Sequence, residues 1–167
     1  MALGFRLTPV QGGTGPVSTQ VRTRISAYAI AMEDDRLLLA RLSDASPIFT
    51  PGLWHLPGGG IDPGEQPVEA LTRELQEETG LELVRAHLLD ARTYSAQRNG
   101  ISWSLTALFY AASLKGGPPT VTEVDGSTEA ALWVPLRDLR DTAVLSPPAA
   151  DATHMLDRST AMVTATR

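Results

Sequence analysis

Short aliphatic and β-branched runs over residues 23–32 and 36–41 flank the acidic turn Glu33-Asp34-Asp35, a pattern that predicts a hairpin of two strands. Residues 44–52, with Pro47 and Pro51, are expected to form a loop leading into the apolar stretch Leu53-Trp54-His55-Leu56. Pro57-Gly58-Gly59-Gly60 and then Asp62-Pro63-Gly64 interrupt the chain twice, as a glycine-rich loop would. Pro67 suits the first turn of a helix and Gly80 the position just past its end, so a helix is predicted over Pro67–Thr79. At about 100° per residue, Val68, Leu71 and Leu75 share one face and form its expected buried stripe. Residues 83–95, 101–112 and 130–134 read as strands, with Asn99-Gly100 as a hairpin turn between the first two, and residues 147–156 as a closing helix.

Strands, one helix, more strands and a terminal helix predict a mixed α/β sandwich, not a regular βαβ repeat. Residues 1–22 are rich in Gly, Pro, Thr and Gln without a period and are expected to be a mobile arm. A single domain then spans 23–160, and 161–167 form a tail. The total of 167 residues suits one domain, and 43% hydrophobic residues suffice for a core. The longest apolar run, Ala107 to Ala112, is too short to cross a bilayer, and the first 25 residues hold no signal-peptide core. A cytoplasmic protein without a membrane partner is therefore expected. Zero cysteines exclude disulfides, thiolate catalysis and Cys-based zinc sites.

A net charge of −5 argues against binding duplex nucleic acid through a basic face. All of that excess falls between Glu65 and Glu82, where Glu65, Glu69, Glu74, Glu77, Glu78 and Glu82 face a single base, Arg73. A charge run is ordinarily a solvated face, but such a face interleaves bases four residues from its acids. Arg73 stands so to Glu69 and Glu77, whereas Glu74 and Glu78 have no such partner. Glu74, Glu77 and Glu78, at i, i+3 and i+4, crowd three carboxylates onto one arc of the helix. A hard divalent cation such as Mg²⁺ compensates them most simply, since it takes oxygen ligands and keeps waters for a phosphate to replace. Arg73 is then a positioner of glutamates.

Gly59-x5-Glu65-x7-Arg73-Glu74-Leu75-x-Glu77-Glu78-x-Gly80-Leu81 matches every fixed position of the Nudix box, and the chain in this stretch resembles the Nudix hydrolase family. Trp54-His55-Leu56-Pro57-Gly58-Gly59 also resembles the segment that precedes the box in many members. Beyond residues 54–82 the likeness lies in strand order and in Trp133-Val134-Pro135-Leu136.

The resemblance implies an α/β/α sandwich that cleaves the diphosphate linkage of a nucleoside diphosphate derivative, with Mg²⁺ or Mn²⁺ as cofactor. It implies Glu74, Glu77 and Glu78 as metal ligands, Glu65 as a further outer ligand or structural partner, Gly59 and Gly80 as loop and cap, and Arg73 as the residue that orients the glutamates. It admits a homodimer. The general base is Glu74 or Glu78 in the box, or Glu123, Asp125 or Glu129 in a late loop. Arg41, at a strand end before the box, is a candidate contact for the diphosphate. Trp54, Tyr94, Trp103 and Trp133 are candidates for stacking on a base, with core packing as the competing role. The histidines show no ligand spacing. Ser95, Ala96 and Gln97 fill the region where a proline often marks ADP-ribose members. A nucleoside triphosphate or small nucleotide conjugate is therefore the favoured substrate, and a nucleotide sensor without turnover is the alternative, which an intact glutamate set disfavours.

Overall fold

A computed structural model of the protein describes residues 20–165, with side chains through 157. The strands are β1 (Val21–Glu33), β2 (Arg36–Leu42), β3 (Trp54–His55), β4 (Gly58–Gly60), β5 (Glu82–Arg98), β6 (Ile101–Lys115) and β7 (Thr128–Pro135). Helix α1 (Pro67–Thr79) lies between β4 and β5, and α2 (Pro147–Ala165) closes the chain after two short 3-10 turns, Leu136–Leu139 and Thr142–Val144. The sheet runs β3-β2-β1-β6-β5, with β4 joined to β1 and β7 to β2. β1 and β6 pair in parallel and the other pairings are antiparallel.

One helix packs on each side, giving the expected α/β/α sandwich. Alternation along β1 sends Tyr28 and Ile30 into a core shared with Leu139, Leu145 and α2, and Ala27, Ala29 and Ala31 into a second core under α1. The three alanines let Leu71 and Leu75 of α1 come down close on the sheet. The helix ends where its punctuation places it. Gly80 takes the left-handed conformation, φ 66°, and its N–H returns to the Gln76 carbonyl. The β5–β6 turn likewise uses Asn99 and Gly100 at φ 52° and 74°.

Four expectations are corrected. Gly58–Gly60 is strand β4 and not a loop, pairing with Ser26, Ala27 and Tyr28. Val68 is 42% exposed, because the first turn of α1 stands clear of the sheet, and Ala70, Glu78 and Thr79 join Leu71 and Leu75 on the buried face. β1 begins at Val21, where Val21 and Arg22 already pair with Ser102 and Trp103, while residues 1–19 of the expected arm lie outside the described residues. Helix α2 continues to Ala165 through most of the expected tail. No helix among the described residues is long and apolar enough to cross a membrane.

The sheet opens at one point, and that opening positions the site. β2 pairs with β1 only at Met32 and Glu33 before turning to β3 and β7, and β4 takes its place beside residues 26–28 of β1. A wedge remains between β4 and β7. The C-terminal end of α1 lies over it.

Candidate functional site

Glu78 fills the wedge. Its Oε2 accepts the Gly58 N–H of β4 at 2.8 Å and its Oε1 accepts the Thr128 hydroxyl of β7 at 2.7 Å, so one carboxylate joins the two separated strands. It is 3% exposed. Burial pushes its pKa up to about 8, the neighbouring Glu74 and Glu123 charges push the same way, and the hydrogen bonds from Thr128 and Gly58 oppose them.

Arg73 gathers the other box acids. Its Nε and Nη2 grip both oxygens of Glu65 at 3.0 and 2.9 Å, its Nη1 reaches Glu74 at 2.9 Å and Glu77 at 3.6 Å, and Nη2 also donates to the Gly60 carbonyl at 3.1 Å. The two-pronged hydrogen bond with Arg73, helped by the Asp62 N–H, holds the Glu65 carboxyl below its ordinary pKa. Both Glu65 oxygens are thus engaged with Arg73. Glu69, expected beside Arg73, instead accepts the Gln66 N–H at the start of α1. Glu74, expected to lack a base, is paired with Arg73, although burial still raises its pKa. Gly59 is where the chain makes room for it: a Cβ on Gly59 would stand 2.5 Å from the Glu74 carboxyl carbon.

The late loop is tied to the end of α1. Thr122 and Glu123 donate their N–H groups to the Glu77 carbonyl and Thr120 donates to Thr79, which satisfies carbonyls that a helix terminus leaves open. This brings Glu123 near Glu78. Glu123, Asp125 and Glu129 line an open groove of about 490 Å³. Glu129 is neutralised by Arg41 at 3.2 Å, and Arg41 reaches the Gly52 carbonyl at 3.5 Å.

The aromatic candidates fall elsewhere. Tyr94 donates its hydroxyl to Asp151 of α2 at 2.6 Å, and Trp54, Tyr94 and Trp103 pack against the core on the α2 side, while Trp133 packs under α1. His55 is buried and uncharged, its pKa lowered by burial to about 3, and its Nδ1 pairs with the Ser146 hydroxyl. A partly open cleft of about 40 Å³ beside Glu78 is lined by Tyr28, Phe49 and Arg24, which the sequence reading passed over. The signal for Arg24 and Tyr28 lay in the alternation of β1, where Arg24 and Ser26 are polar positions on the face that carries Tyr28, whereas Phe49 sits in the loop between β2 and β3.

The donor set fits a hard divalent cation. All candidate ligands are carboxylate oxygens, and the buried one has two further acids and no base among the named influences on its pKa. Among the described residues no three acids or histidines close around one point. Mg²⁺ does not require such a cage, because one or two carboxylates, water and substrate phosphates complete its shell.

The chain matches the NUDIX domain family over residues 22–156. It is 32% identical over 130 residues to the human 8-oxo-dGDP phosphatase NUDT18, a match covering 76% of this chain and 38% of that protein. It is 41% identical over 64 residues to an Escherichia coli nucleoside triphosphatase NudI, covering 38% of this chain and 45% of the relative. The chain therefore spans less than half the length of these curated relatives. Among solved structures, a MutT NUDIX hydrolase from Burkholderia pseudomallei is 32% identical with a TM-score of 0.64, covering 80% of this chain and 97% of its own. A MutT protein from Methanosarcina mazei Go1 is 25% identical with a TM-score of 0.64, covering 83% and 95%.

Proposed function

The chain belongs to the NUDIX domain family, and from that premise we propose that it is a pyrophosphohydrolase, dependent on Mg²⁺ with Mn²⁺ as a substitute, that cleaves the diphosphate linkage of a nucleoside diphosphate derivative. Nucleoside di- and triphosphates are the favoured substrates. The names of two relatives, a phosphatase of 8-oxo-dGDP and a nucleoside triphosphatase, support that choice.

The observation that carries the reading is Glu78. A carboxylate wholly withdrawn from water, beside Glu74 and Glu77 and with Arg73 already shared among Glu65, Glu74 and Glu77, lacks the positive partner that burying an ionised acid demands. Glu74, Glu77 and Glu78 would hold the cation. When bound, it would neutralise phosphate oxygens, acidify the attacking water and stabilise the leaving oxygen. Arg73 orients Glu74 and Glu77, and Glu65 fixes Arg73 in turn. Glu78, with Glu74 and Glu123 whose charges act on it, is the set from which the proton acceptor would come, whereas Arg41 holds Glu129 in an ion pair.

The test is product analysis with Mg²⁺ or Mn²⁺ over a panel of nucleoside di- and triphosphates including 8-oxo-dGDP, nucleotide sugars, ADP-ribose and dinucleoside polyphosphates. Metal-dependent cleavage of one class, lost in Glu77→Gln, is the expected result. A folded protein silent across the panel would overturn it in favour of a nucleotide sensor.

A further inference from the structure

Arg24 projects from β1 on the same face as Ser26 and Tyr28 and forms a wall shared by two spaces. One is the cleft that reaches Glu78, and the other is a groove of about 290 Å³ bounded by Thr23, Ile25, Ile61 and Asp62. The guanidinium lies against the backbone of Gly60, where a Cβ would meet its Nη2 at 2.5 Å and its Cζ at 2.7 Å. The other arginines around the acids are engaged, Arg73 with Glu65 and Glu74, and Arg41 with Glu129. Arg24 makes no ion pair or hydrogen bond among the described residues, although its charge is felt at Glu74. Two residues further along the strand, Ser26 is wholly buried.

A cation beside several carboxylates would ordinarily fold onto one of them. The bare Gly60 backbone leaves room for Arg24 apart from the acids, and its planar fork of donors lines both spaces. A fork of that shape matches phosphate oxygens better than a point charge does. Resting on the hydrolase reading above, we infer that Arg24 is the substrate-binding cation of this site and takes a phosphate of the nucleotide. The acid cluster and Arg24 then divide the diphosphate between them. The glutamates serve the phosphorus under attack, and Arg24 fixes the remainder of the anion.

Steady-state kinetics on the cleaved nucleotide test this with Arg24→Gln, Arg24→Lys and Gly60→Ala. Arg24→Gln is expected to raise KM about tenfold or more with kcat within about twofold, as loss of a ground-state contact does. Arg24→Lys should recover part of the loss, because the charge returns without the fork. Gly60→Ala keeps the charge but displaces the guanidinium, and should raise KM in the same direction. Arg22→Gln, two residues away with its guanidinium 6.0 Å from the Trp103 ring centroid, should leave KM unchanged. Equal effects at Arg22 and Arg24 would reduce the role to long-range charge and overturn the inference. So would an unchanged KM with a displaced acid limb of the pH profile, which marks a residue that only tempers Glu74. Calorimetric titration with Mg²⁺ and inorganic pyrophosphate separates the two readings. Binding by the wild type that Arg24→Gln abolishes, without any turnover, would sink the hydrolase and keep the site. Equal binding by both proteins would overturn Arg24 even if hydrolysis is observed, and no binding by the wild type would also count against it.

Discussion

Replacing Glu78 by glutamine removes the titrating group while keeping both hydrogen bonds, because an amide oxygen accepts from the Gly58 N–H and the amide NH₂ donates to Thr128 Oγ1. Desolvation in the wedge raises the pKa of this carboxyl from 4.5 to about 8. A folded-state pKa above the unfolded one means that stability is fully present below pH 4.5 and is lost as pH rises through 8. At about 1.4 kcal/mol per pKa unit, the loss is about 3 kcal/mol at pH 7 and levels near about 5 kcal/mol above pH 8. That is a large share of the roughly 5–15 kcal/mol that holds a domain together. Glutamine does not titrate and escapes the loss. Urea denaturation in EDTA should therefore give coincident curves for the two proteins at pH 4.5 and a more stable Glu78→Gln at pH 7, by about 3 kcal/mol. The same variant should be inactive, and added Mg²⁺ should stabilise the wild type more than the variant. A stability gap that is absent at pH 8, or equal at pH 4.5 and 8, would refute the claim that this site holds its carboxylate at a cost to the fold.

Gly59→Ala should leave the fold and its melting temperature near wild type, since no left-handed backbone is required there, yet lower kcat by up to about 10²-fold. The new Cβ displaces the Glu74 carboxylate from Arg73, and misplacement of a catalytic group by about 1 Å costs that much. A wild-type kcat would show that the position of Glu74 does not matter. Tyr94→Phe removes the hydroxyl that ties β5 to Asp151 and should destabilise by about 1 kcal/mol in urea with KM unchanged. A raised KM would show that the hydroxyl serves the substrate and not only the tie to Asp151.

The limits of α1 were legible because Pro67 and Gly80 act locally, through a missing N–H and a free φ. The acid cluster was legible because its spacing needs only helical geometry. Strand β4 was not, since three consecutive glycines carry no side-chain alternation and pair with β1 through backbone alone. Val68 shares its angle with Leu71 and Leu75, but periodicity gives direction around a helix and not how far the sheet extends beneath it. Sequence spacing tied Arg73 to Glu69 and Glu77, whereas its contacts with Glu65 and Gly60 cross from helix to loop and strand, where only the folded chain sets proximity. The burial of Glu78 depends on two strands separating, an event with no local signature at residue 78.

The alanines at 27, 29 and 31 acquire a meaning beyond packing once the reach of a glutamate is treated as fixed. How deeply Glu78 enters the wedge depends on how near α1 rests to β1, and three methyl groups that face no ligand set that spacing. Hereditary drift from alanine to valine at one of them would look conservative in composition and would leave every glutamate in place. A lineage could keep the whole signature and still lose its reaction, because the helix that carries the signature had been lifted from the sheet.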